Sequence, residues 1–195
     1  MNKDENLAKA EDFKKSAERM YKDSISEQHP FSRFCRLDES TKLMKNAANH
    51  FRLAKDWRNA ANAFLKAAQI KKENGCNFSS LYEEAAKMQM KYDKTAALQT
   101  LVLQAHSHCA QGEMSSAASV KEKIGEIYEA EKQHLLAAKS YSEAFELREM
   151  NALIVPLSTF DLLLKAAELK VLVEANKQHI QEAIQVYENV RVPRI

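Results

Sequence analysis

The feature that most constrains the fold is a pattern of small and aromatic residues that occurs twice in the chain. The first copy consists of Ala48, Phe51, Ala60, Phe64 and Ala67. The second copy has the same spacing and consists of Gly125, Tyr128, Ala137, Tyr141 and Ala144. Small residues let two antiparallel helices approach closely, and a ring on each helix fills the gap beside its neighbour's small residue. The spacing is that of a tetratricopeptide unit and predicts antiparallel helix pairs.

Two weaker copies extend the repeat along the chain. The middle copy consists of Ala85, Met88, Ala97 and Leu101, followed by Gln104 where a small residue is expected. A final half-copy offers Ala183, Tyr187 and Val190. The intervals exceed the roughly 34 residues of tetratricopeptide arrays, so longer helices are expected. We predict a right-handed, all-α solenoid of about nine helices, at approximately 4–23, 40–55, 57–73, 79–91, 93–111, 114–131, 133–149, 157–175 and 178–190.

The composition supports a helical domain. Only three glycines and three prolines occur in 195 residues, which is too few for the turns that an all-β or α/β fold requires. We therefore predict one domain over 1–195, with a first helix at 1–23, an exposed apolar loop at 24–39 and helix pairs over 40–190. The three cysteines, Cys35, Cys76 and Cys109, are odd in number and far apart. This spacing indicates neither a disulfide framework nor a zinc site and fits a reducing cytosol.

Several classes of function find no support in the sequence. No window approaches the roughly 18 consecutive apolar residues that span a membrane, and the first residues lack the apolar core of a signal peptide. Lys and Glu are interspersed around a net charge of +2, which argues against a nucleic-acid partner. Nucleotide-binding and hydrolase motifs are missing as well. We expect a binding protein without enzymatic activity or cofactor.

One cluster resembles a metal site, in the segment HSHC. His106 and His108 are two positions apart, so on a helix they point some 200° away from each other, and the two histidines cannot share a metal ion without breaking the helix. A histidine near a helix C-terminus is favoured by the helix dipole, which explains the segment without a ligand. We predict no metal site.

The stretch HPFSRFCRL, residues 29–37, is unusually apolar for a connector between helices. Two interpretations are open for Phe31, Phe34 and Leu37. They fold back to cover the open end of the first helix pair, as terminal units of a solenoid require, or the rings contact an apolar partner such as a membrane. In the second case Arg33 and Arg36 add attraction to anionic lipid.

Three segments carry a resemblance to a known family: AANHFRLAKDWRNAANAFLKAAQ, GEIYEAEKQHLLAAKSYSEAFEL and LLKAAELKVLVEANKQHIQEAIQVYENV. Together they resemble the soluble attachment proteins that link SNARE complexes to the N-ethylmaleimide-sensitive fusion ATPase. The A-K-D-W step between paired helices and the I-Y-E element at 127–129 are the most telling. The resemblance runs from LAKAEDFKKSAER to VYENV and is stronger to the alpha/beta branch than to the gamma branch, mainly because of the opening loop.

The resemblance implies a cytoplasmic adaptor that associates peripherally with membranes. Such proteins bind the outside of the assembled four-helix SNARE bundle, which includes syntaxin-type chains, and recruit a hexameric ATPase that separates it. The bundle surface is acidic, so Lys55 and Lys91 are the expected SNARE-binding residues. The paired aromatics of the family's opening loop correspond to Phe31 and Phe34, which implies a membrane contact there together with Arg33 and Arg36.

The chain also departs from the family pattern. Glu113 and Asp161 stand where relatives carry basic residues, and Ser119 is neutral where a lysine is usual. Like charges at these positions imply a different partner charge or pose. Relatives continue for roughly another hundred residues, the size of a further small domain, into a helical bundle that stimulates the ATPase. This chain ends at RVPRI, so we do not expect these residues alone to stimulate it.

An alternative function is a chaperone-docking tetratricopeptide scaffold that clamps a C-terminal carboxylate. Lys45 and Asn49 match the first pair of clamp residues, and Lys123 is an acceptable cation of the third unit. Glu83 stands where the clamp needs a second asparagine, and Ser119 replaces a lysine. A glutamate in a carboxylate pocket repels the ligand, which favours the SNARE interpretation.

Overall fold

The computed structural model describes the backbone of residues 2–150 and 157–191, and the side chains of 2–150, 159–178 and 181. All regular secondary structure in these ranges is helical, which confirms the predicted all-α class. The helices are α1 (Lys3–Ile25), α2 (Pro30–Leu53), α3 (Trp57–Glu73), α4 (Ser79–Gln89), α5 (Lys94–Ala110), α6 (Met114–Ala130), α7 (His134–Met150) and α8 (Leu157–Arg191).

The chain forms two compact units, residues 1–107 (unit 1) and 108–195 (unit 2). In unit 1, α1 packs on α2, α2 on α3, and α3 on α4. In unit 2, α6 packs on α7 and α7 on α8. Each unit therefore consists of consecutive helices that pack against each other, as the repeat predicted, while the single domain over 1–195 stays a prediction.

The core of unit 1 is formed by the small and aromatic positions of the first repeat copy. Ala48, Ala60 and Ala67 have no exposed surface, while Phe51 and Phe64 are 1% and 2% exposed. Burying a phenylalanine side chain contributes about 1.5–3 kcal/mol, and the alanines beside these rings allow the helices to come close enough for that burial. The packing role predicted for this pattern is confirmed.

The second repeat copy packs in the same way in unit 2. A Cβ atom added to Gly125 would lie 2.8 Å from Cε1 of Tyr141, so the ring occupies the space that a larger residue would fill. The Tyr141 hydroxyl donates a hydrogen bond of 2.8 Å to Glu129 Oε2, and Lys165 Nζ lies 2.9 Å from the same oxygen. Hydrogen bonds to Tyr141 and Glu129 raise the pKa of Lys165, and the Lys165 contact lowers the pKa of Glu129. This network joins α6, α7 and α8.

The weaker repeat copies have different outcomes. The middle copy is buried throughout, including Gln104 at 4% exposed. Gln104 stands where a small residue is expected, so its side-chain amide lies in the interior, close in sequence to buried Thr100 and Ser107. The positions of the final half-copy, Ala183, Tyr187 and Val190, lie outside the described side chains.

The predicted loop at 24–39 is wrong, because α2 begins at Pro30 and only residues 26–29 connect it to α1. Proline suits the first turn of a helix, where its missing N–H leaves no hydrogen bond unmade. The buried positions Leu37, Met44 and Phe51 continue a single helical spacing from the end of the unusual stretch into the repeat. The HPFSRFCRL stretch therefore forms the beginning of α2.

The predicted break at 176–177 is also wrong, since α8 continues as one helix and replaces two of the nine predicted helices. The segment around Asn176 contains neither glycine nor proline, and its neighbours Glu174, Ala175 and Lys177 are good helix formers. One polar asparagine does not end such a helix. The other helices begin and end within two residues of the predicted bounds, except for the start of α2.

Four turns between helices share one backbone geometry. Their central residues, Lys55, Gly75, Gly112 and Lys132, have φ values of 61°, 69°, 75° and 59°. In each turn the following amide donates to the carbonyl five residues earlier, at 2.9, 3.1, 2.9 and 2.8 Å. This is the Schellman motif, which places a left-handed residue directly after a helix. The motif reverses the direction of the chain between two helices, and Lys55 is exposed in its turn.

The shared geometry predicts that substitutions at Gly112 and at Lys132 differ in their effect on stability. Gly112→Ala places a Cβ in the left-handed region and is expected to lower the free energy of unfolding by about 1 kcal/mol. Lys132→Gly relieves the same strain in a matched turn of unit 2, and its effect is expected to lie within about 0.5 kcal/mol of zero because glycine also gains entropy on unfolding. Urea denaturation measures both. An equal loss in the two variants would contradict the turn geometry.

Candidate interaction surfaces

Two inter-helix turns of unit 1 carry the lysines that the sequence singled out. Lys55 lies between α2 and α3, Lys91 lies between α4 and α5, and both are exposed. Each turn ends on an aspartate that caps the next helix. Asp56 Oδ1 accepts a hydrogen bond of 3.2 Å from the Asn59 amide, and Asp93 Oδ1 accepts one of 2.9 Å from the Ala96 amide. Both aspartates are therefore N-caps of the helices that follow them.

A contact between Arg58 and Tyr92 brings these two turns together. The Arg58 guanidinium carbon lies 5.4 Å from the centroid of the Tyr92 ring, within the range of a cation–π interaction. Arg58 belongs to the first turn of α3 and Tyr92 follows Lys91 directly. We define Lys55, Arg58, Lys91 and Tyr92 as the basic edge.

The charges of the basic edge favour an acidic partner. Three of its four members are cationic, and all four side chains are exposed. The nearby carboxylates of Asp56 and Asp93 accept hydrogen bonds at the N-termini of α3 and α5, where the helix dipole stabilises negative charge. Their engagement as caps leaves the cations of the edge facing solvent.

Sequence reasoning missed Arg58 and Tyr92. A repeat pattern predicts which residues pack between helices, but it does not say which surface turns touch each other. The available signal was the spacing, since Arg58 follows Lys55 by three residues and Tyr92 adjoins Lys91. The neighbouring Trp57 is half-buried and packs against the core of unit 1. The position directly after the Asp56 cap therefore contributes to the packing of unit 1.

An apolar patch lies at the other end of α2. Phe31 is 71% exposed and Phe34 is 45% exposed, and Ile25 at the end of α1 is 63% exposed. Leu37 is only 3% exposed. The interpretation that these residues cap the helix pair therefore holds for Leu37 but not for the two phenylalanines, which stay in solvent. We define Ile25, Phe31 and Phe34 as the apolar patch.

The two arginines beside the apolar patch differ in their surroundings. Arg33 is exposed. Arg36 is half-buried, and its Nε lies 3.3 Å from Oε2 of Glu27 in the α1–α2 connector. This ion pair offsets the charge of Arg36, so Arg33 contributes more to the electrostatic potential at the patch.

Unit 2 holds the three residues that depart from the family pattern. Glu113 contacts His108, with 2.6 Å between Oε2 and Nδ1, at the start of α6. Ser119 donates a hydrogen bond of 3.1 Å to the Ser115 carbonyl, and Asp161 is exposed on α8. None of these three side chains supplies a cation, so the basic positions expected from the resemblance are concentrated in unit 1.

The two histidines of the HSHC segment differ in exposure. His106 is exposed and His108 is buried, so they face different ways. Among the described residues, no group of three His, Cys, Asp or Glu side chains could hold a metal ion.

The residues of the predicted carboxylate clamp lie in both units. Lys45 and Asn49 lie one turn apart on α2, while Glu83 pairs with Lys87 at 3.4 Å. Ser119 and Lys123 belong to unit 2, and the carboxylate clamp stays a prediction.

No helix within the described part of the chain is both long enough and apolar enough to cross a bilayer.

The fold and these surfaces define a helical-repeat scaffold with a basic edge and an apolar patch. Comparison with known proteins gives the family. Residues 8–194 match the family model for SNAP, the soluble NSF attachment protein. The chain belongs to this family.

Individual relatives are similar at modest identity. Human alpha-soluble NSF attachment protein is 29% identical over 161 residues, covering 80% of this chain and 52% of the relative. The sec17 homolog of Schizosaccharomyces pombe, a vesicular-fusion protein by name, is 34% identical over 112 residues, covering 56% and 39%. The alpha-soluble NSF attachment protein of Vitis vinifera is 23% identical over 193 residues, covering 98% and 63%. The chain thus spans about half the length of the relatives it matches.

A solved structure of BtubC (BKLC) from P. vanneervenii covers 100% of this chain and 95% of its own, with 17% identity and a TM-score of 0.49. A likeness at this level supports no conclusion about fold or function.

The exposure of the apolar patch predicts how its residues affect stability. Replacing exposed Phe31 and Phe34 by serine is expected to change the free energy of unfolding by no more than about 0.5 kcal/mol each. Leu37→Ala on the same helix removes a buried side chain and is expected to cost about 2–4 kcal/mol. Chemical denaturation of the three variants measures this. A cost for the phenylalanines as large as that for Leu37 would mean that the rings belong to the core.

Proposed function

We propose that this chain is an adaptor that binds assembled SNARE bundles through its basic edge and links them to the NSF-type hexameric ATPase. The observation that carries the proposal is the contact between Arg58 and Tyr92, which brings the turns of Lys55 and Lys91 to one edge of unit 1. Membership of the SNAP family over residues 8–194 supports the identity of the partners. The function belongs to vesicle fusion and intracellular transport.

The attraction between the basic edge and a SNARE bundle is electrostatic. The resemblance implies an acidic bundle surface, and cations on a complementary surface speed association and fix its orientation. Exposed charges are screened over about 10 Å at 0.1 M salt, so binding is expected to weaken as salt is added.

The adaptor performs no chemistry of its own in this proposal. Its contribution is to hold two partners together, and the ATPase supplies the energy that separates the SNARE chains. The proposal concerns the residues of this chain, which spans about half the length of the relatives it matches.

The apolar patch provides a second attachment, to the surface of a membrane. Each phenylalanine ring contributes about 1.5–3 kcal/mol if it is fully buried in lipid, and Arg33 adds about 1 kcal/mol near an anionic leaflet. This total gives weak binding by a free protein. A SNARE bundle anchored in the same membrane raises the effective concentration of lipid at the patch and makes the contact useful. The protein is then cytoplasmic and peripherally associated with the membrane.

The first experiment tests the basic edge. Lys55→Gly together with Lys91→Ala removes two cations and is expected to weaken binding to an assembled SNARE bundle by about tenfold. Glycine keeps the left-handed turn at position 55, so the fold is retained. The matched control is Lys132→Gly, which removes one charge from the equivalent turn of unit 2. The dissociation constant is measured by fluorescence anisotropy over a series of salt concentrations.

The expected result is weaker binding with a smaller salt dependence for the double variant and no change for the control. Absence of binding by the parent chain contradicts the proposed function. If the double variant and the control weaken SNARE binding equally, the SNARE bundle does not bind through the basic edge.

The second experiment tests the apolar patch. The Phe31→Ser/Phe34→Ser variant is expected to lose at least about tenfold in partitioning to vesicles that contain anionic phospholipid, because two rings no longer enter the bilayer. Leu53→Ser is the matched control, since Leu53 is 59% exposed at the opposite end of the same helix. Flotation of each protein with vesicles gives the bound fraction. Unchanged flotation of the double variant contradicts the membrane contact.

A further inference from the structure

Arg58 and Tyr92 differ from the other residues of the basic edge because they contact each other. The guanidinium carbon of Arg58 lies 5.4 Å from the ring centroid, and Tyr92 remains 39% exposed. The pair joins α3 to the turn between α4 and α5. It is therefore an exposed contact between two elements, with an aromatic surface and a cation in one place.

The surroundings of Arg58 leave its charge available to a partner. Three arginines are paired, Arg36 with Glu27, Arg52 with Glu84 and Arg148 with Glu122. Arg58 differs from these three, because no ion pair within residues 2–150 and the described part of α8 involves it. The nearest capping carboxylate in sequence, Asp56, accepts its hydrogen bonds from Asn59.

A cation–π contact with an aromatic ring prepares an arginine for binding a carboxylate. The guanidinium group is planar, and its N–H donors can form two parallel hydrogen bonds to a carboxylate. The ring also restricts the rotamers of the long side chain, so less entropy is lost when a partner binds. Tyrosine adds apolar contact area with few rotatable bonds, and Tyr and Arg are enriched among the residues that dominate binding energy.

We infer that Arg58 and Tyr92 form one preorganised contact that binds a carboxylate on a helical partner and gives the basic edge its specificity. Lys55 and Lys91 supply attraction that depends on charge alone, whereas the Arg58–Tyr92 pair recognises the planar geometry of a carboxylate next to an apolar side chain. The inference rests on the proposed function, since the SNARE bundle is the acidic helical partner in question.

The experiment separates geometry from charge. Arg58→Lys keeps the positive charge but removes the planar fork, and it is expected to weaken binding to the assembled SNARE bundle by about tenfold. Because the charge is retained, the salt dependence of binding should match that of the parent chain. Tyr92→Ala is expected to weaken binding to a similar extent, while Tyr92→Phe retains the ring and should stay within about twofold.

The double variant Arg58→Lys/Tyr92→Ala tests whether the two residues act as one contact. If they do, its loss is close to that of either single variant, because removing one partner has already disabled the other. The matched control is Lys72→Ala, which removes an exposed cation from unit 1 that lies 5.9 Å from the Phe78 ring, at the start of α4. This control should stay within about twofold of the parent.

The outcomes distinguish this inference from the proposed function. Failure of the parent chain to bind the bundle overturns both. Binding by the parent that is unaffected by Arg58→Lys and Tyr92→Ala, or equally reduced by Lys72→Ala, overturns the inference alone. A simple addition of the two single losses in the double variant also overturns it, because the residues then act independently. Circular dichroism melting of each variant verifies that the fold is retained.

Discussion

The structure depends on the close approach of helices that small residues permit. In unit 1 the fully buried alanines at 48, 60 and 67 let α2 and α3 come together around Phe51 and Phe64. In unit 2 the absence of a side chain at Gly125 makes room for the Tyr141 ring, whose hydroxyl then reaches Glu129. A larger residue at these positions would separate the helices and shift the turns between them. The positions of Lys55 and Lys91 at the surface follow from this packing.

The interior of the protein could be predicted from the sequence because its packing rule is periodic. The positions of both strong repeat copies are buried or half-buried as expected, and most helix bounds agree within two residues. The loop predicted at 24–39 does not form, because the phenylalanines and arginines of residues 29–37 lie on the first turns of α2. The better guide was Leu37, which is in phase with Met44 and Phe51, together with a proline that suits a helix start.

The surface was harder to predict, for a physical reason. Contacts such as that between Arg58 and Tyr92 depend on which turns become neighbours after the helices pack, and no local pattern records this. The sequence and the family resemblance indicated Lys55 and Lys91 but gave no indication of the pair between their turns. No local pattern indicates the ion pair between Arg36 and Glu27 either. This ion pair reduces the charge that Arg36 can offer to lipid.

Helix α2 gives the proposed function its geometry. It has 24 residues and is therefore about 36 Å long, with the apolar patch near its first turn and the basic edge after its last. In the proposed function, one rigid element separates the membrane contact from the SNARE contact. The distance between the two contacts is then set by helix length and does not depend on a flexible linker.

The most direct test of the SNARE-binding surface is photo-cross-linking to an assembled SNARE bundle from two matched positions in unit 1. Thr95 and Ser80 are both exposed, and each is the second residue of its helix, α5 and α4. Thr95 lies beside the basic edge, whereas Ser80 lies at the far end of α4, about 16 Å along the helix axis for its 11 residues. A photoreactive side chain at position 95 is predicted to cross-link to the bundle, and one at position 80 is not. Cross-linking from position 80 alone would contradict the basic edge as the binding surface.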